Sequence, residues 1–344
     1  MSGQLAALLL ADRSAGLRLL VLRDLLGRAE DDPEVLELQA LRLDDPLVKS
    51  LLNSQTENGA WTAEGRSGTK GGLRGTAQAL IRLGALGFGP DHEAVKRGAE
   101  FLFSQQKEDG SWPLSSDLEP GEQYGNYDMI PLQTAMPLRG LASAGFANDS
   151  RSERAYEWLL EQRLDDGSWP TGISSGVFGR VAGYRRLPHS RWGCRSNTTG
   201  VVLCFAYHPQ RRLSQEVQRA MDHLLARETR ERRDFGFEVA RTLGAEKASG
   251  LFTYFARFDM ALILDLCWRV GASLADERVA DLVAHVRSLQ GPYGLWEYEA
   301  RPQISRWLTF DLLRSLSRLG AEAGWLSIEP RTDFRPYVGR QARY

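Results

Sequence analysis

One short phrase recurs along the chain at a nearly regular spacing, and it restricts the fold more than any other feature. In each copy a glutamine precedes a turn-forming stretch that ends in Gly-x-Trp. The tryptophans of successive copies are 51, 57 and 127 residues apart, so the last interval has room for one more repeat. A period of this length is typical of proteins built from repeated supersecondary units. The four copies are Gln55–Trp61, Gln106–Trp112, Gln162–Trp169 and Gln290–Trp296.

A fifth copy is predicted in the long interval. The stretch His223–Phe237 has the right position, with Phe237 in place of the tryptophan and with the glutamine lost. The repeated phrase is expected to serve stability, because it stands at the end of every amphipathic helix alike. Its glutamine amide can satisfy backbone groups at the helix end, its glycine permits the turn, and its tryptophan can stack over the joint.

Two kinds of helix are predicted to flank each phrase. An amphipathic helix precedes it, with apolar residues recurring at every third and fourth position. A Gly- and Ser-rich loop follows, and then a more apolar helix that ends near a glycine, which suits a helix C-terminus. The predicted apolar helices are Ser14–Gly27, Thr76–Phe88, Pro131–Phe146, Thr198–Pro209, Asp259–Gly271 and Leu308–Gly320.

This alternation predicts an all-α protein with two concentric helical layers, an (α/α) toroid of about six helix pairs. Strand signals are nearly absent from the sequence. An open solenoid of helix pairs is the alternative, but such a fold needs polar capping ends, which the sequence does not show. We assign residues 1–325 to a single toroid domain and residues 326–344 to a basic C-terminal tail.

The overall charge and composition exclude several function classes. With 43 basic and 44 acidic residues the formal net charge is -1, which predicts no nucleic-acid partner. No apolar run approaches the roughly 20 residues of a membrane-spanning helix. The three cysteines are too few and too scattered for a disulfide framework, which is typical of a reducing compartment. A cytoplasmic location is therefore expected.

The Gln-x-x-x-Gly-x-Trp phrases between paired helices resemble the repeats of the squalene-cyclase and prenyltransferase β-subunit superfamily. The resemblance covers about residues 49–320, most of the chain. It implies the toroid fold and a connection to terpenoid chemistry. If the chain is an enzyme, the resemblance implies a transferase or a cyclase/isomerase acting on isoprenoid-like substrates. Whether the chain catalyses any reaction is left open.

The superfamily's two known chemistries can be compared with this sequence. The protonating cyclases carry an Asp-x-Asp-Asp motif, which is absent here. The pairs Asp44/Asp45 and Asp165/Asp166 are predicted to cap a helix and to form a turn. The prenyltransferases bind zinc through an Asp-x-Cys pair and a later histidine, and Asp-x-Cys is also absent. No cofactor is predicted, although zinc or magnesium stays an alternative, with Cys194, Cys204 and His208 as candidate zinc ligands.

Charged and aromatic residues recur where the apolar helices begin. In a toroid these starts gather at one mouth of the central cavity, where the helix dipoles add partial positive charge. Arginines there predict a rim that attracts anions, and carboxylates at the same level are candidate acid–base residues. The candidate catalytic residues are Asp128 and Asp259. The candidate ligand-binding residues are Arg74, Arg195, Arg257, Arg306, Tyr127, Trp192, Tyr254 and Trp307.

The sequence therefore predicts a terpenoid cyclase/prenyltransferase-like protein that binds a partly apolar, anionic, isoprenoid-like small molecule in its central cavity. An aromatic-lined cavity with a cationic rim is suited to such a ligand. Two alternatives from other classes stay open. One is a zinc-dependent prenyl or other group transferase, and the other is a non-catalytic toroid that serves as a scaffold for a protein partner. The pattern does not identify a substrate.

Overall fold

The regular structure of this chain is almost entirely helical. The computed structural model describes residues 2–62, 72–112, 131–170, 186–226, 233–246 and 258–319. Two very short parallel strands, β1 (Arg233–Asp234) and β2 (Phe258–Asp259), pair with each other. The helices are α1 (Ser2–Leu10), α2 (Ala15–Leu20), α3 (Pro33–Leu41), α4 (Pro46–Asn53), α5 (Gly72–Ala85), α6 (Glu93–Ser104), α7 (Pro131–Leu141), α8 (Ser150–Glu161), α9 (Arg195–Phe205), α10 (Gln215–Leu225), α11 (Phe237–Thr242), α12 (Met260–Arg269), α13 (Glu277–Ser288) and α14 (Ser305–Arg318).

The helices divide into two layers, as the sequence pattern predicts. All residues of α7 and α9 are buried, which is possible only for helices surrounded by others. By contrast α6, α8, α10 and α13 bury one face and expose the other. The inner helices α2, α5, α7, α9, α12 and α14 coincide with the six predicted apolar segments. Turns of π-helix, Val21–Leu25 and Ala142–Phe146, extend α2 and α7.

The inner helices close into a ring. Helix α5 packs against α7, α7 against α9, and α12 against α14. In the turn that follows α9, Arg212 donates a hydrogen bond to the carbonyl of Arg269 at the end of α12. At the remaining junction a Cβ atom placed on Gly16 of α2 would lie 3.9 Å from Leu86 and from Trp307, so α2 joins the α5 and α14 sides. The predicted (α/α) toroid is confirmed.

Each tryptophan of the repeated phrase joins an outer helix to the next inner helix. The indole Nε1 of Trp112 donates to the carbonyl of Leu102 near the end of α6 (2.8 Å), and its backbone N–H donates to the Thr134 hydroxyl in α7 (3.2 Å). The side chain is fully buried. The same two bonds recur at Trp61 with Leu51 and Thr76, at Trp169 with Leu159 and Thr198, and at Trp296 with Val286 and Thr309.

The glutamine of the phrase connects successive repeats. Gln106 Nε2 donates to the carbonyl of Gly110 in its own turn and to the carbonyl of Arg151 in the next outer helix, both at 2.9 Å. Gly110 has a φ of 91°, and a Cβ atom there would lie 2.6 Å from the carbonyl oxygen of Arg154. Only glycine fits this turn. Gln55 makes the equivalent pair of bonds to Gly59 and Ala94.

The third copy departs from this scheme, and the predicted role of its glutamine is wrong. Gln162 lies seven residues before Trp169 and caps α8 through its backbone N–H. The connection to the next outer helix is made from the other side. Arg219 Nε and His223 Nε2 of α10 donate to the carbonyl of Asp166, at 3.1 and 2.8 Å.

The predicted fifth copy is correct in its turn and wrong in its aromatic residue. Gly236 has a φ of 80°, close to the turn glycines of the other copies. Phe237, however, begins α11. This short helix packs against α5, α12 and α14, inside the ring. The inner helix that follows, α12, contains no threonine that could accept a bond from a tryptophan.

The tryptophan joints are expected to determine stability. Trp112→Ala should lower the free energy of unfolding by about 3–5 kcal/mol, because it leaves a cavity and breaks the link from α6 to α7. Trp112→Phe should cost less, since it keeps most of the ring volume. Thermal and urea unfolding measure both changes. Trp192→Ala is the control, because that side chain is 40% exposed. Equal melting temperatures for wild type and Trp112→Ala would contradict the assigned role.

Candidate functional site

A cavity of about 210 Å³ lies at the centre of the ring. Residues from α2, α5, α7, α11, α12 and α14 line it, together with Tyr207 just after α9. Its walls combine apolar and charged side chains. The apolar and aromatic ones are Leu20, Ile81, Val239, Leu243, Leu262, Trp307 and Phe310, and the charged ones are Arg23, Asp24, Arg139, Glu238, Asp265, Arg269, Asp311 and Arg314.

The described cavity does not lie at the level predicted from the sequence. Its charged lining comes from the later turns of the inner helices, for example Arg139 in α7 and Asp265 and Arg269 in α12. The predicted rim lies at the first turns. The loops that precede α5, α7, α9 and α12 fall largely outside the described residues, and with them most of the predicted mouth.

Five charged side chains form what we term the α12–α14 cluster: Asp24, Asp265, Arg269, Asp311 and Arg314. Arg314 Nη2 lies 2.5 Å from Asp311 Oδ1 and 3.6 Å from Asp265 Oδ1, and its Nη1 lies 3.7 Å from Asp24 Oδ2. Arg269 Nε donates to Asp265 Oδ2 at 2.8 Å. The cluster thus places three carboxylates around two guanidinium groups.

The carboxyl groups of this cluster differ in pKa. Burial raises the pKa of Asp311 to about 6, and the neighbouring Asp265 carboxylate adds to this effect against the pull of Arg314. Burial acts on Asp265 in the same direction, but Arg269 and Arg314 outweigh it and lower the pKa of that carboxyl. Asp311 is therefore the group in this cluster that takes up a proton most readily near neutral pH.

A second group of charges, the α7–α11 cluster, consists of Arg139, Glu238 and Arg241. Glu238 Oε1 lies 2.7 Å from Arg139 Nη1 and 2.5 Å from Arg241 Nη2, and all three residues are buried. Burial acts to raise the pKa of Glu238, but the two guanidinium groups dominate and lower it to about 2. This cluster carries one more positive than negative charge.

Aromatic rings hold the cavity arginines in place. The Arg269 guanidinium lies between the rings of Tyr207 and Trp268, with centroids 4.2 and 4.5 Å away. The Arg314 guanidinium lies 5.3 Å from the centroid of Phe310. Such contacts stabilise a partly desolvated guanidinium while leaving its N–H edges available for hydrogen bonds.

Asp259, one of the two candidate acid–base residues, is tied to the backbone. Its carboxylate accepts hydrogen bonds from the N–H groups of Ala261 (3.1 Å), Gly236 (2.9 Å) and Glu238 (2.6 Å), which joins the start of α11 to the start of α12. Burial raises its pKa to about 6 even so. The second candidate, Asp128, lies outside the described residues.

The candidate arginines that the structure describes are dispersed. Arg195 is buried at the start of α9, and Arg74 is half-buried in the first turn of α5. Arg306 pairs with Asp12, at 3.0 Å, in the segment between α1 and α2. Arg257 lies outside the described residues.

The two candidate aromatic residues that the structure describes have different environments. Trp307 lines the central cavity, whereas Trp192 is exposed beside Arg191. Tyr127 and Tyr254 lie outside the described residues. Of the residues predicted to bind ligand, the structure thus places Trp307 in the wall of the cavity.

The candidate zinc ligands are engaged in other contacts. Cys204 donates to the carbonyl of Ala135 at 2.7 Å, and burial raises the pKa of its thiol well above the usual value. His208 Nδ1 accepts two backbone N–H bonds, and its Nε2 lies 2.8 Å from Glu153. Cys194 is buried. Across the described ranges, three or more metal-ligating side chains come together nowhere.

The two aspartate pairs act as predicted. Asp45 caps α4 by accepting from the N–H of Leu47 at 3.1 Å. Asp166 accepts from the N–H of Ser168 at 2.9 Å and so closes the turn before Trp169.

The sequence reasoning missed the α12–α14 cluster, although a signal for it exists. Helices α12 and α14 were predicted to be apolar inner helices, yet each carries a carboxylate and an arginine within one turn. These are Asp265 with Arg269 and Asp311 with Arg314. Charged pairs on an inner helix must face either another charge or a cavity, and here they face both.

Comparison with known proteins agrees with this architecture. Residues 36–181 match the family model of the squalene-hopene cyclase C-terminal domain. The chain is 31% identical over 160 residues to a squalene–hopene cyclase of Zymomonas mobilis, an alignment covering 44% of this chain and 24% of that protein. It is 29% identical over 161 residues to a lanosterol synthase of Aspergillus fumigatus, covering 45% and 20%.

Over this part of its length the chain is similar to squalene–hopene cyclases and lanosterol synthases. It spans less than a quarter of the length of those two relatives. Among solved structures, the type II terpene cyclase MstE from Scytonema matches with a TM-score of 0.35 and 15% identity, covering 79% of this chain and 96% of that one. Among the helices of the described ranges, none is long and apolar enough to cross a membrane.

The α7–α11 cluster generates a stability prediction. Glu238→Gln should cost about 3–5 kcal/mol, because it removes the carboxylate that pairs with two buried guanidinium groups. Since the folded-state pKa of Glu238 lies below its usual 4.5, at about 2, the stabilisation is present above pH 4.5 and is lost as the pH falls toward 2.

Chemical unfolding at several pH values tests this prediction. Wild type should lose stability more steeply than Glu238→Gln over that acid range. Glu100→Gln is the matched control, because its bond to Arg151 (2.9 Å) is exposed and should be worth under about 1 kcal/mol. An equal loss in the two variants would show that the buried trio does not stabilise the ring.

Proposed function

We propose that this chain is a terpenoid-cyclase-like protein whose central cavity binds a partly apolar, anionic, isoprenoid-like small molecule. One observation carries the proposal. In a chain that resembles the squalene-hopene cyclase C-terminal domain over residues 36–181, a cavity lined by the inner helices combines apolar and aromatic walls with arginines. Apolar walls suit a hydrocarbon chain, and a few fixed polar groups suit a single head group that orients it.

The relatives support the isoprenoid part of this proposal. The two most extensively aligned of them are named for squalene–hopene cyclisation and lanosterol synthesis. The described cavity, about 210 Å³, is smaller than the roughly 300–1,000 Å³ of typical sites for drug-sized ligands. This favours a short isoprenoid chain over a triterpene. Catalysis is a separate proposal, with Asp259 and Asp128 as its candidate acid–base residues.

A panel of short isoprenoids tests the proposal. Farnesol, farnesoic acid and farnesyl diphosphate are titrated into the purified chain, with calorimetry and ligand-induced shifts in melting temperature as readouts. We expect at least one of the acidic compounds to bind more tightly than farnesol. If none of the three raises the melting temperature or produces heat, the proposal is wrong.

Two variants locate the head group. Arg269→Met removes a cavity arginine and should weaken binding at least tenfold, which corresponds to about 1.4 kcal/mol or more. The double variant Arg195→Ala/Arg306→Ala removes two arginines of the predicted rim, and its loss of binding would instead place the head group at the helix starts. Arg287→Met, at an exposed position of α13, is the control. Circular dichroism confirms that each variant is folded.

A further inference from the structure

The charges of the described residues around the cavity sum to zero when every group is ionised. Protonation of one carboxyl group changes this net charge. The α7–α11 cluster has two arginines and one glutamate, whereas the α12–α14 cluster has three carboxylates and two arginines. Arg23, the remaining charge among the described residues of the wall, pairs with Glu30 at 2.8 Å. With all of these described groups ionised their charges sum to zero, and with one carboxyl protonated they sum to a single positive charge.

The three carboxylates of the α12–α14 cluster all lie near the guanidinium group of Arg314. Asp311 occupies its Nη2 at 2.5 Å, while Asp265 and Asp24 lie at 3.6 and 3.7 Å. Its Nε is buried and makes no hydrogen bond within the described residues. Arg314 lines the cavity, but an anion approaching it also approaches the excess of negative charge in the α12–α14 cluster.

We propose that Arg314 and Arg269 form the subsite for the ligand's anionic group, that this group carries one negative charge, as a carboxylate does, and that Asp311 accepts a proton when the ligand binds. This inference rests on the proposed function and deepens it. Protonated Asp311 no longer holds Arg314 as an ionic partner, and the arginine can then make a bidentate contact with a carboxylate.

The charges facing Asp311 explain why this carboxyl is the one that changes. Asp265 and Arg269 of α12, Asp259 just before α12 and Arg314 on its own helix act on it, and Asp24, on the turn that extends α2, lies 3.7 Å from Arg314. Tyr207, after α9, lies beside Arg269. Beyond these, α11 and α7 contribute Glu238 and Arg139 to the same wall.

The acid–base properties of the cluster agree with this geometry. Its one excess carboxylate is desolvated, and the pKa of Asp311 lies near 6 in the free protein. An anionic ligand raises that pKa further by adding a second negative charge nearby.

The net charge of the described cavity residues also indicates which class of ligand head group can bind there. A monoanion in the cavity offsets the single positive charge left when Asp311 is protonated. A diphosphate brings about three negative charges, and the described cavity has too few positive charges to compensate them. A short isoprenoid carboxylic acid is therefore expected to bind more tightly than the corresponding alcohol or diphosphate.

Calorimetry with farnesoic acid tests the inference. Titrations at about pH 6 and pH 8, each in two buffers of different ionisation enthalpy, measure the number of protons taken up. We expect uptake of about one proton per ligand at the higher pH, and a roughly tenfold weaker affinity for each pH unit above the pKa of Asp311. The sign follows because only the protonated form of Asp311 admits the ligand.

Two variants sharpen this experiment. Asp311→Asn is permanently uncharged, so it should bind farnesoic acid equally at both pH values and more tightly than wild type at pH 8. Glu108→Gln, which removes an exposed carboxylate in a turn far from the cavity wall, should keep the wild-type pH dependence. If Asp311→Asn does not fold, the proton uptake of wild type decides the matter alone.

The possible outcomes separate this inference from the function it rests on. If no isoprenoid binds at any pH, the proposed function is wrong, and the proposed anion subsite is wrong as well. If farnesoic acid binds without proton uptake, only the role of Asp311 is overturned. Tighter binding of farnesyl diphosphate would overturn the single-charge head group. Binding of farnesylamine that strengthens as the pH rises would mark the cluster as a cation site and would overturn the subsite.

Discussion

The indole hydrogen bond that returns from each repeat tryptophan to the preceding outer helix is the contact on which the ring depends. Trp61, Trp112, Trp169 and Trp296 each donate to a carbonyl ten residues earlier, and each receives its threonine partner from the next inner helix. A helix pair alone cannot bury its apolar faces, so it needs a fixed angle to its neighbours. The tryptophan fixes that angle by donating to a carbonyl in the last turn of the outer helix.

Because the tryptophan contacts fix the outer helices against the inner ones, the ring can hold charged side chains around its central cavity. Buried ion pairs are costly to desolvate, and they contribute little net stability unless their geometry is well defined. The two clusters in the cavity wall are held by α7, α11, α12, α14 and the π-helical turn that extends α2, so their geometry derives from the ring rather than from one another. This arrangement is typical of a binding site, in which polar groups are positioned in advance by packing around them.

The fold was predictable from the sequence because its signal is local and repeated. The apolar segments, the turns and the aspartate caps such as Asp45 each follow from neighbouring residues. The site was less predictable, because its charges come together from distant segments. Asp24 and Arg314 are far apart in the sequence, and Glu238 lies on a helix inside the ring that the repeat pattern did not indicate. Sequence periodicity predicts whether a helix lies in the inner or the outer layer. It does not predict which charged side chains of other helices that helix will face.

The place of α11 gives the ring a structural asymmetry. Four of the joints between an outer and an inner helix are closed by a tryptophan and a threonine, whereas at α12 the Asp259 carboxylate ties the start of the helix to the start of α11. Three hydrogen bonds to one carboxylate replace a buried indole. The joint beside α11 therefore depends on the ionisation of one buried carboxyl group, whereas the tryptophan joints involve only uncharged groups.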